Sequence, residues 1–348
     1  MKENLSFFVT PEHTSYFEAG EIPVPKEDEV VVKTMVTGIC GSDIHFYLEG
    51  KVGAFALTKP YIPGHESSGI IHAVGAKVTR FRVGQRVIVE PGIPCRVCRN
   101  CVEGRYNLCE SYVFMSGPTA DGTFRRYFPI RADMLHCMPD EMSFEKGALV
   151  EPLAVAVHIL KRAGSVVGKT IAIFGIGPIG LLVGMTAKAL GCGKVICIDI
   201  NPDRLQVARA CCADVVINSI EETPWENAAD VVFETAGSPV TVAQAFRTAA
   251  PGGTIVQVGW LKKDTAEIDT SLLLAKELNY VASYNYANDF PAAIELLNSG
   301  RVNAERIVTH RFAFENTDEA IAYTANNPKD VLKTLVTYDM GEENGGDV

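Results

Sequence analysis

The chain has 348 residues, 47% of them hydrophobic and 21% charged, and a formal net charge of -10. That length exceeds what one hydrophobic core usually fills, so two domains are expected, with ample apolar material for both. The acidic balance, with no basic run, excludes a nucleic-acid partner or an acidic membrane surface.

The first ten residues lack a basic region followed by a sustained apolar core, and no later apolar run approaches the roughly 20 residues needed to span a bilayer. A cytoplasmic location is therefore expected, and the ten cysteines read as reduced thiols and metal ligands. Short Val/Ile strands at residues 29–36, 69–74 and 85–90, punctuated by Gly and Pro, predict an irregular antiparallel, barrel-like domain over the first 150 residues. From Thr170 the texture changes. Brief apolar runs at 171–174, 195–198, 215–217, 231–233 and 255–258 alternate with helical-length segments such as 179–190 and 239–249. Strand and helix at this rhythm predict a parallel sheet covered on both faces. Helical stretches at 291–297 and 320–325 and a strand at 332–337 follow. With no linker between them, the chain is expected to re-enter its first domain. The fold class is thus α/β, a doubly wound parallel sheet plus a barrel-like domain. The boundaries are 1–155 with 287–348 for the barrel-like domain and 156–286 for the doubly wound one. The polar, Gly-rich segment 342–348 is expected to fray.

Cys95, Cys98, Cys101 and Cys109 are separated by two, two and seven residues. Four thiolates so spaced close a tetrahedron around one Zn²⁺ and leave no open position, which makes a structural site in a lobe at 91–111. A disulfide pair and a cluster of buried free thiols are the alternatives. Cys40-Gly-Ser42-Asp-Ile-His45 and Gly64-His65-Glu66 cannot join that cluster without exceeding its four ligands. A thiolate, an imidazole and one or two carboxylates make a second zinc site with room for an exchangeable ligand, as catalysis requires. Glu151, set in the apolar run 147–159, needs a buried partner, and a metal or its water supplies one. Taken singly, Cys40 is more often a core thiol and His65 a structural histidine; Glu66 and Glu151 read equally as helix caps or salt-bridge partners. The remaining cysteines, Cys137, Cys192, Cys197, Cys211 and Cys212, are expected to be small buried side chains.

Gly175-Ile-Gly177-Pro178-Ile179-Gly180 follows the strand at 171–174 and opens a helix. The first two glycines permit a tight turn and close approach of the backbone to a pyrophosphate; the third permits close helix–strand packing. Free N–H groups at the helix start then face the phosphates. Asp199, nineteen residues past Gly180, ends the next strand. Its carboxylate accepts ribose hydroxyls and repels a 2′-phosphate, favouring NAD over NADP. Arg204 either stacks near the adenosine or is a solvated helix residue. An alcohol gives up hydride to nicotinamide readily once its oxygen is deprotonated, and zinc promotes that deprotonation, so the two constellations explain one another.

These features resemble the zinc-dependent medium-chain dehydrogenases, and within them the sorbitol (polyol, L-iditol) dehydrogenases. The resemblance rests on Thr37-Gly-Ile-Cys-Gly-Ser-Asp-Ile-His45, Gly64-His-Glu66, Glu90-Pro-Gly-Ile-Pro-Cys95, Gly104-Arg-Tyr-Asn-Leu-Cys109, Gly147-Ala-Leu-Val-Glu-Pro-Leu-Ala154 and Val308-Thr-His-Arg-Phe312. It implies a GroES-like catalytic domain, two zinc ions per chain, NAD, a small-molecule polyol substrate and a homotetramer. It also implies that Cys40, His65 and Glu66 bind the catalytic zinc while Glu151 holds or replaces its water. Ser42 and His45 stand where related alcohol dehydrogenases pass the substrate proton to solvent, and an imidazole with an ordinary pKa near 6.5 suits that task. Phe46 and Phe114 resemble aromatic linings of the substrate cleft, although either also reads as core. The family's Arg-Tyr in that cleft is replaced by Asn285-Tyr286, which alters the clamp on a distal hydroxyl. The expected activity is NAD-dependent oxidation of a secondary alcohol of a polyol to a ketose. L-threonine 3-dehydrogenase and a broader secondary-alcohol or cyclic-polyol dehydrogenase are the alternatives.

Overall fold

The computed structural model describes residues 4–53, 55–261 and 265–338, so the C-terminal segment expected to fray lies outside the described residues. The chain divides into two units, Met1–Glu151 with Val308–Val348, and Pro152–Ile307. The return therefore comes at Val308, not at residue 287, and the first crossing at 151/152, not 155/156. The later return has a physical reason. Tyr286 and Phe290 are buried and meet edge to face with ring centroids 5.2 Å apart, and Asp289 pairs with His158 and Lys161, all within the second unit.

In the first unit a seven-stranded sheet runs in the order Leu135–Cys137, Arg86–Val89, Glu66–Val74, Glu29–Gly38, Lys333–Thr337, Val308–Ala313, and Tyr127–Arg131 also pairs with the central strand. All pairings are antiparallel except that of Val308–Ala313 with Lys333–Thr337. The ten-residue central strand Glu29–Gly38 is buried along most of its length, which explains its Val-rich sequence. Its last residue, Gly38, lies opposite Glu66 on one side and Leu335 on the other. That junction positions the first site. The N-terminal hairpin Asn4–Val9 with Ser15–Gly20 had no counterpart in the sequence reading; its buried Phe7 and Val9 join a cluster with Phe46, Tyr61, Phe124 and Phe314.

The second unit is a six-stranded, wholly parallel sheet. Counting its strands from Thr170–Phe174, the spatial order is 3-2-1-4-5-6, the doubly wound arrangement whose carboxyl edge binds dinucleotides. Every strand predicted here is present, and the helices Pro178–Ala189 and Pro239–Thr248 lie where the apolar periodicity put them. The helix Pro202–Cys211, capped by Asn201, carries Arg204; its sequence is too polar for apolar periodicity to mark its bounds.

All ten cysteines are free thiols. Cys192, Cys197 and Cys212 are buried as expected, but Cys137 is exposed at the end of a sheet-edge strand, where its sulfur accepts from Gln85 Nε2 at 3.2 Å, and Cys211 is only partly buried. Among the described residues no helix is long and apolar enough to cross a membrane.

Candidate active site and metal centres

Cys40 is the N-cap of the helix Gly41–Glu49, directly after the central strand. At the third helical position Asp43 turns back, and its Oδ2 accepts the Cys40 N–H at 2.9 Å. Its Oδ1 accepts from Gly64 N–H at 3.1 Å and from Ser116 Oγ at 2.7 Å, and faces His65 Nδ1 at 3.8 Å. One buried carboxylate thus ties the cysteine segment to the Gly64-His65-Glu66 segment. Gly64 itself has φ +92° and no room for a Cβ beside the Phe124 ring.

The donor atoms of Cys40, His65 and Glu66 lie within 4.8 Å of one another. His65 is 3% exposed and Glu66 1%. Burial alone would lower the His65 pKa, but Cys40, Asp43 and Glu151 overwhelm it and push the imidazole up to about 10. So much negative charge around one ring calls for a cation. The donor set of one sulfur, one nitrogen and one carboxylate fits Zn²⁺, with three protein ligands and a fourth position left over. Glu151 is buried in the first turn of the helix Val150–Ala163 and stands outside that 4.8 Å set, though near enough to raise the pKa values of both His65 and Lys333.

Ser42 and His45 sit on the helix Gly41–Glu49 three residues apart, hence on one face. Ser42 is half-buried; His45 is exposed and lies 3.4 Å from Glu49. Phe114 meets His65 edge-on, with centroids 5.1 Å apart, so it belongs to the surroundings of the cluster. Phe46 instead packs on Tyr61 within the core.

Two residues of this centre escaped the sequence reading. Asp43 was legible in principle, as a Cys-x-x-Asp capping pattern at the start of a helix. Lys333 was not: it comes from the C-terminal strand, 4% exposed, and its Nζ donates to both Glu66 oxygens at 2.7 and 2.8 Å and to Ile39 O at 3.0 Å. Burial opposes its charge, yet Glu66, Cys40 and Glu151 hold its pKa above the ordinary lysine value. For Asp43 we expect Asp43→Asn to weaken zinc retention by about 10- to 100-fold, because the amide sets an N–H₂ against one of the donors the carboxylate accepts. Zinc per chain after a timed chelator challenge measures this; retention equal to wild type would remove Asp43 from the site.

The four sulfurs of Cys95, Cys98, Cys101 and Cys109 also lie within 4.8 Å of one another. Cys98 caps the short helix Arg99–Val102, and the pairing of Gly92–Ile93 with Val113–Phe114 closes the lobe at its base. Backbone N–H groups of Val97 and Cys98 hold the Cys95 thiol down at about 6, whereas burial and neighbouring thiols push Cys101 up to about 12. Four sulfurs this close ionise together only around a cation, and a closed Cys₄ set suits a structural Zn²⁺.

In the second unit the glycines of the turn divide their work. Gly175 has φ +89°, and a Cβ there would meet Ala236 N at 2.7 Å; a Cβ on Gly180 would meet Gly175 O at 2.0 Å. A Cβ on Gly177 would meet only Arg204 Nη1, at 4.0 Å, so this face is open for a phosphate to approach. Gly177 caps the helix Pro178–Ala189 without a side chain, Pro178 brings no N–H, and Ile179 is half-buried in the first turn. Asp199 ends the second strand at 8% exposure and accepts N–H bonds from Ile176 at 2.5 Å and Asn201 at 2.8 Å. It therefore fixes the glycine turn as well as facing its edge. Asn285 has φ +47°, a left-handed conformation that asparagine tolerates better than most residues. Its neighbour Tyr286 is buried against Phe290, so the dipeptide combines a strained turn residue with a core aromatic.

Residues 26–140 match the family of alcohol dehydrogenase GroES-like domains, and residues 178–299 match the zinc-binding dehydrogenase family. The chain is 38% identical over 334 residues to a sorbitol dehydrogenase of Bacillus subtilis, covering 93% of this chain and 95% of that one. It is 37% identical to a probable D-xylulose reductase A of Aspergillus terreus, covering 91% and 94%. Among solved structures, an Escherichia coli oxidoreductase/dehydrogenase of unknown specificity superposes with a TM-score of 0.91 at 35% identity, covering 97% of this chain and all of that one. The Escherichia coli L-idonate 5-dehydrogenase gives 0.90 at 29% identity, covering 97% and 98%.

Proposed function

Because the chain belongs to the zinc-dependent medium-chain dehydrogenase/reductase family and is an NAD-linked, zinc-containing oxidoreductase of its polyol dehydrogenase group, we propose that it oxidises a secondary hydroxyl of a small sugar alcohol to the ketone. The carbon loses a hydride to NAD⁺ and the oxygen a proton to solvent, giving a ketose, NADH and H⁺. The observation that carries this reading is the cluster of partly buried Cys40 with buried His65 and Glu66, whose donors suit zinc and leave a position for an alcohol. When bound, the zinc acidifies the alcohol and NAD takes up the hydride.

The protein's own groups do the rest. Cys40, His65 and Glu66 hold the catalytic metal, with Asp43 orienting the first two; Cys95, Cys98, Cys101 and Cys109 hold the structural one. Glu151, buried close enough to the cluster to act on His65 and Lys333, holds or replaces the water of the metal. Ser42 accepts the substrate proton and His45, exposed on the same helix face, delivers it to solvent. Gly175, Gly177 and Gly180 shape the pyrophosphate turn, and Asp199 accepts ribose hydroxyls while opposing a 2′-phosphate. Asn285 offers a neutral amide where an arginine would grip a distal hydroxyl with a charge, which favours polyols that need no cationic clamp.

The test is a panel of sorbitol, xylitol, inositols, L-threonine and short secondary alcohols, each with NAD and with NADP. We expect one class of sugar alcohol to lead in kcat/KM, with NAD preferred. Turnover of L-threonine alone would overturn the polyol reading, and equal use of NADP would overturn the role given to Asp199.

A further inference from the structure

We propose that Lys333 is a positioning residue of the catalytic metal site: its ammonium shares the Glu66 carboxylate with the zinc, holding Glu66 in place without metal and keeping it a weakly held ligand with metal. The inference rests on Cys40, His65 and Glu66 being the catalytic zinc ligands, and it assigns a role to a residue from a remote part of the chain.

Strand register brings the parts together. Gly38 pairs with Glu66 on one side and with Leu335 on the other, and Ile39 N–H donates to Thr334 O at 3.0 Å. The C-terminal strand thereby lays Lys333 beside the turn that leads into Cys40. Its Nζ reaches both Glu66 oxygens at 2.7 and 2.8 Å, with Ile39 O as third acceptor at 3.0 Å, so all three ammonium protons are used. A second, independent feature fixes the same carboxylate. A Cβ on Gly38 would stand 2.1 Å from Glu66 Oε2, so the side chain lies over a glycine that leaves it just enough room. Glu66 is therefore positioned before any metal arrives.

Charge then sets the consequence. A buried ammonium draws electron density from the carboxylate it binds and repels a dication coordinated to the same group. Lys333 thus weakens the bond between Glu66 and zinc, and it substitutes for part of the metal's charge when zinc is absent. A lysine that served only to close the C-terminal strand onto the sheet would have the opposite signature, since its loss would weaken metal binding along with the fold.

The decisive comparison uses the full-length protein and its Lys333→Gln variant, which removes the charge and retains an N–H donor. Zinc per chain is counted first: a zinc content that does not fall in a His65→Ala control removes the underlying ligand assignment independently of Lys333. Zinc affinity at the catalytic site is then read by competition with a chromophoric chelator, taking the phase that is missing in a His65→Ala control. We expect K333Q to bind zinc about tenfold more tightly and the difference in melting temperature between zinc-loaded and zinc-stripped protein to widen. K333R should return both values toward wild type. Affinity that is unchanged or weaker in K333Q, or a melting difference that stays the same or narrows, overturns the proposal. Lys333→Met carries the same prediction if K333Q is not recovered; failure to recover either protein with zinc supplied assigns Lys333 to folding alone and likewise overturns it.

Discussion

Turnover of the His65→Ala protein is expected to fall about 10³-fold or more, with NAD binding within about twofold of wild type, on the basis that a metal acting on a developing oxyanion supplies several kcal/mol. His65 is enclosed on all sides: Asp43 lies 3.8 Å from Nδ1, Phe114 packs on the ring edge, and the donors of Cys40 and Glu66 are within 4.8 Å. Removing the imidazole leaves a thiolate and a carboxylate without the third ligand that completes the set. Nothing in that loss reaches the glycine turn, because the parallel sheet that carries it has a separate core of Ala172, Phe174, Ile196, Ile198, Val232 and Phe246. Steady-state kinetics, zinc analysis and an NADH fluorescence titration on the same preparation separate the two effects. Wild-type turnover in a variant shown to have lost the catalytic zinc would end the assignment; loss of NAD binding in parallel with turnover would mean that the substitution had disturbed the fold.

What was legible in the sequence follows from the range of the forces involved. The four cysteines of the lobe span fifteen residues and the glycine turn six, and their chemistry is written in local spacing. Likewise the parallel strands could be read because burial on both faces demands continuous apolar runs, and Ile171, Ala172, Ile173 and Phe174 are all fully buried. The His65–Glu66 dipeptide and Cys40 were recognisable as residue types, and the spacing was compatible with a site. Lys333 carries no such mark. It stands among residues that read as an ordinary strand, and only the antiparallel pairing of Leu335 with Gly38 reveals that it reaches Glu66. The boundary at Val308 was missed for a similar reason: Asp289, His158 and Lys161 are far apart in sequence, and their ion pairs bind the segment 287–307 to the second unit. Asn285 shows the converse. A substitution that looked purely chemical in sequence also has a backbone cause, since φ +47° favours asparagine.

Cys98→Ser should act on stability, with chemistry affected only through loss of folded protein. The lobe has little else to hold it. Its regular structure is one turn of helix at Arg99–Val102 and a 3₁₀ turn at Tyr106–Leu108, and Val97, Val102 and Leu108 face solvent and contribute no core. Its ties to the sheet are polar: Tyr106 donates to buried Glu90 at 2.5 Å, Glu90 also pairs with His136 at 2.7 Å, Arg131 donates to Pro94 O at 2.8 Å, and Arg96 pairs with Asp133 at 3.0 Å while lying over the Tyr106 ring. No residue from Cys95 to Cys101 is fully buried, so that segment is held by the exposed Arg96–Asp133 pair and by whatever the thiolates bind. Structural zinc in small domains contributes on the order of 10 kcal/mol; with part of the lobe otherwise anchored we expect about 3 kcal/mol here, a drop of roughly 10 °C in melting temperature. Limited proteolysis should cut the variant between Cys95 and Cys109 before any other site, and zinc should fall from two per chain to one. The remaining folded protein should keep its kcat, since Cys40, His65 and Glu66 are untouched. A Cys98→Ser protein with wild-type melting temperature, protease resistance and zinc content would show that the four sulfurs hold no metal that the fold requires.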